Sequence, residues 1–222
     1  MGVGENLRRL ILRVIGMTTK EEVTEGAGSA QVCAGHSSAC EAAAHSVQDR
    51  FERPETEVLL LVDASNAFNR MNRAQALRNV RELAPTLGTA ARNVYGAPSR
   101  VFLSDGTCID SVEGTVQGCP LAMQTFALST VPMIRRLDEA TRQQLWYADD
   151  SAALGRVAEV ARWFKLLREI GPVHGYDINL GKTVAVVKAG SLADFQKMFG
   201  DLAKEFQVHV AAEDCEMEDA RG

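Results

Sequence analysis

The sequence has no apolar run approaching the roughly 20 residues that a membrane-spanning helix needs, so no membrane partner is expected. Its N-terminus lacks the unbroken apolar centre and the small-residue cleavage site of a secretory signal. The five cysteines are odd in number and include no C-x2-C pair, which favours free thiols in a reducing compartment. We therefore expect an intracellular protein, in the nucleus or the cytoplasm.

An excess of positive charge is also missing, because 24 Lys and Arg face 29 Asp and Glu, for a net charge of -5. This balance argues against a nucleic-acid binder that works by bulk charge, although it does not exclude a local basic groove. Hydrophobic residues make up 46% and charged residues 24%, which predicts a packed core. The length of 222 residues suits one domain or one and a half, and no internal repeat is visible.

The N-terminal quarter is predicted to be largely helical. A basic, aliphatic helix is expected first, followed by a polar loop over residues 18–30. Residues 37–50 favour a second helix, with Ser37 or Ser38 as its N-cap. No strand is expected before Val58.

From Val58 onwards, apolar runs, caps and turn residues predict alternating strands and helices. The expected elements are a strand over 58–62, a helix from the Asn72 cap to near Pro85, a hairpin over 100–112, a helix after Pro120, a hairpin over 145–155, a helix from Val157 to Gly171, and a strand over 183–187. This order is a βαββαβ pattern with an insertion. It predicts the α+β class, with an antiparallel sheet backed by helices.

In that layout Asp63 ends the first core strand, while Asp149 and Asp150 sit at the tip of the second hairpin. Neighbouring strands of a βαββαβ sheet would bring these carboxylates together, and their repulsion calls for cations. Ligands that offer only oxygen favour Mg²⁺ or Mn²⁺, and two such ions ~3.5–4 Å apart can carry out phosphoryl transfer. The alternative for the Asp pair is a surface β-turn, where Asp is common.

Four segments in this order resemble the motifs of reverse transcriptases, the RNA-directed DNA polymerases of retroelements. The segments are DASNAFN from Asp63, SVEGTVQGCPL from Ser111, YADD from Tyr147 and GYDINLGKT from Gly175. The resemblance covers about residues 58–188, and the motif sequences are closer to those of non-LTR retrotransposons than to those of retroviral enzymes. It implies a right-hand polymerase palm with partial fingers, which acts on dNTPs, an RNA template and a DNA primer.

The resemblance also assigns the metal ligands. Asp63 and Asp149 match the two principal ligands of the family, and Asp150 matches an assisting carboxylate. The backbone carbonyl of Ala64 matches a further ligand. Two Mg²⁺ or Mn²⁺ ions are therefore the expected cofactors.

Five more residues match family positions around the nucleotide and the primer, and each has an ordinary structural alternative. Phe68 matches a ring that crowds a ribose 2′-OH, or it is core packing. Gln117 and Gly118 match the stretch along the incoming nucleotide and template, or they form a turn before a helix. Lys182 matches a lysine near the triphosphate, or it is solvated. Tyr147 matches a support for the primer end, or it is a half-buried strand tyrosine.

The sequence departs from the family pattern in several places. Cys119 replaces a common acidic residue, and Glu113 stands where a basic residue is usual. Residues 1–57 are expected to be a partial fingers segment, residues 58–190 the palm, and residues 191–222 the start of a connection or thumb with a frayed acidic end. The chain is therefore expected to be a fragment of a retrotransposon polyprotein.

Two other hypotheses remain open. The spacing C-x2-H-x3-C-x4-H, formed by Cys33, His36, Cys40 and His45, would suit a metal-binding module, although it differs from common zinc knuckles. The chain could instead be an inactive truncated remnant that at most binds nucleic acid weakly. The three retained aspartates argue against decay of the site.

Overall fold

The computed structural model describes residues 6–35, 38–116 and 118–211. The helices in these ranges are α1 (Asn6–Thr18), α2 (Lys20–Ala27), α3 (Ala39–Glu52), α4 (Ala67–Arg70), α5 (Arg73–Leu83), α6 (Pro85–Tyr95), α7 (Ala122–Leu137), α8 (Val157–Ile170) and α9 (Leu192–Phe199). The strands are β1 (Val58–Val62), β2 (Ser99–Phe102), β3 (Cys108–Ser111), β4 (Gln144–Tyr147), β5 (Asp150–Gly155), β6 (Val184–Lys188) and β7 (Gln207–Ala211). None of these helices is long and apolar enough to cross a bilayer.

The central sheet has the strand order β4-β5-β1-β6-β7. Its first four strands pair antiparallel, which confirms the predicted α+β fold with a βαββαβ sheet backed by helices. Strand β7 was not predicted, and it lies parallel to β6. Strands β2 and β3 form the predicted insertion, a separate two-stranded hairpin. Because β7 joins the same sheet, the chain beyond residue 190 adds to the structural unit that begins at β1.

One face of the sheet packs against helices and forms the largest core. Leu60 and Val62 of β1 and Ala153 of β5 point to this side and are almost fully buried. Trp163 and Phe164 of α8 pack against them in the same cluster. The alternation of β1 explains this arrangement, because successive side chains of a strand point to opposite faces.

The opposite face is covered only in part. Leu59, Ala152 and Leu154 contact Val47 and Phe51 of α3, and together they form a small apolar cluster. Leu61 lies on the same face but remains 38% exposed. Helix α3 therefore leaves open the end of this face that leads to Asp63.

The predicted loop over residues 18–30 was wrong, because most of it forms α2. Glu21 and Glu22 lie in the first turn of this helix, where negative charge complements the helix dipole. Val23 and Ala27 are buried in a cluster with residues of α7. Tertiary burial thus stabilises a segment whose composition is polar.

Other boundaries also differ from the prediction. Helix α3 begins at Ala39, and Ser38 occupies its N-cap position without a capping side-chain bond, whereas Ser37 lies outside the described residues. Asn72 caps α5 as predicted, since its side chain accepts a hydrogen bond from the Gln75 amide. Helix α6 was missed, and it starts at Pro85, a residue that is well suited to the first position of a helix.

Candidate active site

Asp63 follows β1 at the point where the chain leaves the sheet. Its carbonyl accepts a hydrogen bond from the Asn179 amide at 2.9 Å, and the Ser65 amide donates to the Asp177 carbonyl at 2.7 Å. These bonds pair the loop after β1 with the segment leading into β6. Within the described residues no backbone amide donates to the intervening Ala64 carbonyl, so that oxygen is not used by the backbone network.

Asp149 and Asp150 lie where the chain turns from β4 into β5. Tyr147 pairs with Asp150 across the hairpin, and Ser151 pairs with Val62 of β1. The same register, continued by one residue, places Asp63 opposite Asp150. The structure therefore brings together two carboxylate-bearing segments that are far apart in the chain.

The carboxylates of Asp149 and Asp150 lie close enough to other charges for these to affect their pKa. Burial raises the pKa of Asp149, and the negative charge of Asp63 raises it further, whereas the nearby Lys182 lowers it. Burial also raises the pKa of Asp150, followed by the charges of Asp149 and Asp63. When they are ionised, the neighbouring carboxylates thus repel one another, which favours the binding of a cation.

Lys182 supplies a positive charge beside this cluster. Its Nζ lies 3.6 Å from Oδ2 of Asp63, and it ends the 3₁₀ turn Leu180–Lys182 just before β6. Its side chain is 69% exposed, so the ion pair contributes only about 0–1 kcal/mol. The lysine can therefore leave Asp63 at little cost when an anionic ligand approaches.

A groove of about 610 Å³ lies between α3 and the open face of the sheet. Asp63, Asp150, Lys182 and Tyr147 contribute to its lining, and most of its other lining side chains are apolar. Tyr147 is half-buried. Its position thus suits both a strand tyrosine and a residue that contacts a ligand in the groove.

Phe68 is partly exposed and lies on α4, outside the lining of this groove. Its ring stacks on that of Phe126, with the centroids 4.4 Å apart, and its carbonyl accepts a hydrogen bond from the Thr115 amide at 2.7 Å. The ring therefore packs against Phe126, while the side chain as a whole stays partly exposed. The stacking fits the core-packing alternative, and the partial exposure leaves room for the expected ligand contact.

Gly118 has a φ of +82°, and a Cβ at this position would meet no atom within 4 Å. The glycine therefore supplies backbone geometry and leaves room for close approach. It lines a different groove from the carboxylates, together with Arg8, Arg9 and Phe102. Gln117 lies outside the described residues.

Arg73 was missed by the sequence analysis, although it orders the loop that leads to Gly118. Its guanidinium is buried and donates to the carbonyls of Ser111, Glu113 and Gly114 at 2.8–3.1 Å. Its own amide donates to the Glu113 carboxylate at 2.8 Å. Glu113, which departs from the family pattern, thus has a structural partner. An arginine directly after a helix cap gave no local indication of this role.

Tyr176 was also missed. It is buried, and its hydroxyl donates to the Asp149 carbonyl at 2.8 Å. The hydroxyl oxygen of Tyr176 also lies 3.2 Å from that of Ser151. The residue therefore ties the carboxylate hairpin to the segment that precedes Lys182.

The cysteine and histidine hypothesis gains no support from the described residues. Cys33 and Cys40 are free thiols, and Cys40 and His45 are exposed. These three side chains do not come together as a metal-binding group. His36 lies outside the described residues.

The carboxylates suit a magnesium or manganese ion that takes only some of its ligands from the protein. They offer only oxygen atoms, which both ions prefer. Within the described ranges, no three His, Cys, Asp or Glu side chains are gathered closely enough to hold a metal by themselves. Mg²⁺ commonly binds one or two carboxylates and takes its other ligands from water and substrate phosphates. The site therefore suits ions that a substrate completes.

The fold is similar to solved structures of telomerase. Telomerase from Candida albicans in complex with a TWJ fragment of telomeric RNA matches 78% of this chain, with a TM-score of 0.60 and 14% identity. Apo telomerase from Candida tropicalis matches 82% of the chain, with a TM-score of 0.53 and 13% identity. A form truncated from the C-terminal domain matches 81%, with a TM-score of 0.52 and 14% identity. No family model and no curated protein sequence matches the chain.

This similarity establishes the fold alone, because the sequence identities are low. Telomerase catalytic subunits are reverse transcriptases, so the chain has a reverse-transcriptase-like fold. The chain spans 35% of the Candida albicans telomerase chain and 36–40% of the two Candida tropicalis chains.

Proposed function

We propose that this chain is the palm of an RNA-directed DNA polymerase, which adds dNTPs to the 3′-OH of a DNA primer on an RNA template. The observation that carries the proposal is the meeting of Asp63 with the Asp149–Asp150 turn beside Lys182, in a reverse-transcriptase-like fold. A telomerase neighbour is bound to RNA, which supports RNA as a partner. The wording of the motifs supports an origin in a non-LTR retrotransposon.

Two Mg²⁺ or Mn²⁺ ions would be held by Asp63 and Asp149, with Asp150 assisting and the Ala64 carbonyl as a further ligand. When bound, such ions activate the primer hydroxyl and stabilise the leaving oxygen of phosphoryl transfer. The mutual repulsion of the carboxylates supports this assignment, because cations would relieve it.

The remaining site residues would bind and orient the nucleotide and primer. Lys182 would exchange its weak pairing with Asp63 for the triphosphate and stabilise the charge that develops there. Phe68, backed by Phe126, would present a firmly held ring to the ribose and exclude a 2′-OH.

The other three residues would contact the nucleic acid more directly. Gln117 and Gly118 would lie along the incoming nucleotide and the template, where the open space beside Gly118 allows close backbone approach. Tyr147 would support the primer end from the groove that it shares with the carboxylates.

A metal titration of the purified chain tests the proposal. At ten times its Kd, Mn²⁺ stabilises a protein that binds it only when folded by about 1.4 kcal/mol, which for this size is about 3–6 °C in Tm. We expect this shift in the wild type and its loss in Asp149→Asn. The matched control is Asp201→Asn, because Asp201 lies outside the carboxylate cluster and pairs with Lys204 at 2.7 Å on the surface. A wild type that does not respond to Mn²⁺ or Mg²⁺ would contradict the metal assignment.

Primer extension on an RNA template tests the reaction itself. Because the chain spans only 35–40% of its telomerase neighbours, we expect slow extension, which depends on Mg²⁺ or Mn²⁺ and is lost in Asp149→Asn. Metal binding without any extension would favour the inactive remnant. Rapid extension would show that the palm is more self-sufficient than its length suggests.

A further inference from the structure

The turn that carries the carboxylates has an unfavourable backbone conformation at Ala148. This residue lies between Tyr147 and Asp149, is buried, and has a φ of +54°. Residues with a Cβ adopt such left-handed geometry at a cost, so the surrounding structure must hold it. Because Ala148 directly precedes Asp149 and Asp150, its backbone angles affect the direction in which these residues leave the turn.

Gln31 holds Ala148 by a reciprocal pair of hydrogen bonds. Its Nε2 donates to the Ala148 carbonyl at 2.8 Å, and the Ala148 amide donates to its Oε1 at 3.0 Å. The Gln31 side chain is completely buried. This amide therefore pairs with the backbone of the turn as a neighbouring strand would.

The other two bonding positions of the same amide are occupied as well. Nε2 donates to the Thr130 hydroxyl at 3.1 Å, and Oε1 accepts a bond from the Cys33 thiol at 3.1 Å. The Thr130 hydroxyl donates in turn to the Ala127 carbonyl, so it must accept from Gln31, which fixes the orientation of the amide. Both N–H donors and both acceptor positions are thus used.

The backbone next to Gln31 also bonds to the β4–β5 hairpin. The Val32 amide donates to the Trp146 carbonyl at 3.0 Å, so consecutive residues of this segment bind alternate residues of the hairpin. From the other side, Tyr176 donates to the Asp149 carbonyl. The turn is therefore clamped between two segments that are distant in the chain.

We propose that Gln31 is a positioning residue, which keeps Ala148 left-handed and thereby sets the placement of Asp149 and Asp150 relative to Asp63. For the consequence at the metal ions, this inference rests on the proposed function. For the conformation of the turn, it stands on the hydrogen bonds alone.

The test compares Gln31→Leu with a matched control, Asn79→Leu. Leucine is close in volume to glutamine and larger than asparagine, and it cannot form hydrogen bonds. Asn79 is also a buried amide, and its Nδ2 donates to the Ser129 carbonyl on α7, the same helix that carries Thr130. Both variants remove a buried amide next to α7, and only Gln31→Leu touches the turn.

The first readout is amide hydrogen exchange measured by NMR without metal, normalised to the amides of β1. We expect the Ala148 amide to exchange about tenfold faster in Gln31→Leu, because it loses its acceptor, and to be unchanged in Asn79→Leu. The second readout is Mn²⁺ affinity, which we expect to fall about tenfold in Gln31→Leu alone, as outer-shell partners commonly produce.

Equal behaviour of the two leucine variants in the exchange of Ala148 would overturn the inference. Equal Mn²⁺ affinities, with faster exchange in Gln31→Leu, would overturn the part that concerns the carboxylates. If Gln31→Leu does not fold, Thr130→Val, which removes one anchor of the amide, replaces it with the same expected direction. If the wild type binds no Mn²⁺, the proposed function fails, whereas hydrogen exchange still decides whether Gln31 holds the turn.

Discussion

The turn of the β2–β3 hairpin is held by its own residues, whereas the turn of the β4–β5 hairpin is held by residues from elsewhere in the chain. In the first turn, the Asp105 carboxylate accepts bonds from the amide and the hydroxyl of Thr107, at 2.9 and 2.6 Å. In the second turn, Gln31 and Tyr176 hold the backbone around Ala148.

Their surroundings differ in the same way. Phe102 and Ile109 of the first hairpin are 72% and 54% exposed, while most of β5 is buried in the central sheet. A self-contained turn needs no partner and can project from the protein. A turn that is held from outside can retain an unfavourable conformation, which suits a place where carboxylates must be directed against their mutual repulsion.

The largest expected effect comes from Arg73→Met, which removes the tie at the base of the β2–β3 hairpin. Losing the bonds to Ser111, Glu113 and Gly114 should lower the free energy of unfolding by about 2–4 kcal/mol, measured by urea denaturation. Hydrogen exchange should quicken in β3 but not in β5. The control is Arg78→Met on the same helix. Because the Arg78 side chain is exposed, this variant should change the free energy of unfolding by about 0.5 kcal/mol or less. A comparable loss in both variants would contradict the role of Arg73.

Replacing the glycine of the first turn by alanine and the alanine of the second by glycine should change the free energy of unfolding in opposite directions. Gly106 has a φ of +84° with open space around it, so Gly106→Ala should lower the free energy of unfolding by about 1 kcal/mol through backbone strain. Ala148→Gly should raise it by about 0.5 kcal/mol, because relief of strain outweighs the added freedom of the unfolded chain. A destabilised Ala148→Gly variant would show that the second turn is not strained.

A smaller effect is expected from the carboxylate at the second turn. Burial, with the charges of Asp149 and Asp63, raises the pKa of Asp150 in the folded state, so its contribution to stability is lost as pH rises through that raised range. Asp150→Asn should therefore be more stable than the wild type at pH 7 by at most about 0.5 kcal/mol, measured in a chelator. The difference should vanish at acidic pH, where both side chains are neutral. A constant difference at all pH values would exclude a charge effect.

The smallest effect, with the opposite dependence on pH, is expected at the first turn. The side chain and then the amide of Thr107 lower the pKa of Asp105, so its stabilisation is present above the unfolded pKa and is lost as pH falls through the folded one. Asp105→Ala should lower Tm slightly at neutral pH and flatten its decline in acid. Identical Tm profiles for Asp105→Ala and the wild type would show that the bonds to Thr107 contribute nothing.

Prediction from the sequence succeeded where an element depends on its own residues. The apolar run of β1, the Asn72 cap of α5 and the hairpin over residues 100–112 all follow from contacts over a few positions, and the structure confirms them. It failed for α2, whose polar sequence is helical because Val23 and Ala27 are buried against other helices. Strand β7 was missed because its alternating run is only five residues long, and its pairing with β6 stabilises it.

The candidate site also combines features that local sequence predicts with features that depend on distant contacts. From the sequence alone we could predict that Asp63 ends a core strand, that Asp149 and Asp150 occupy a hairpin turn, and that the order of elements is βαββαβ, because apolar runs and turn residues act over a few positions. How the turn is held and how Glu113 is used depend instead on contacts that form in the folded protein. The Gln31–Ala148 and Arg73–Glu113 partners are distant in sequence and make their hydrogen bonds in the interior, where an unpaired polar group is costly. No pattern of neighbouring residues encodes such a requirement, since folding alone brings the partners together.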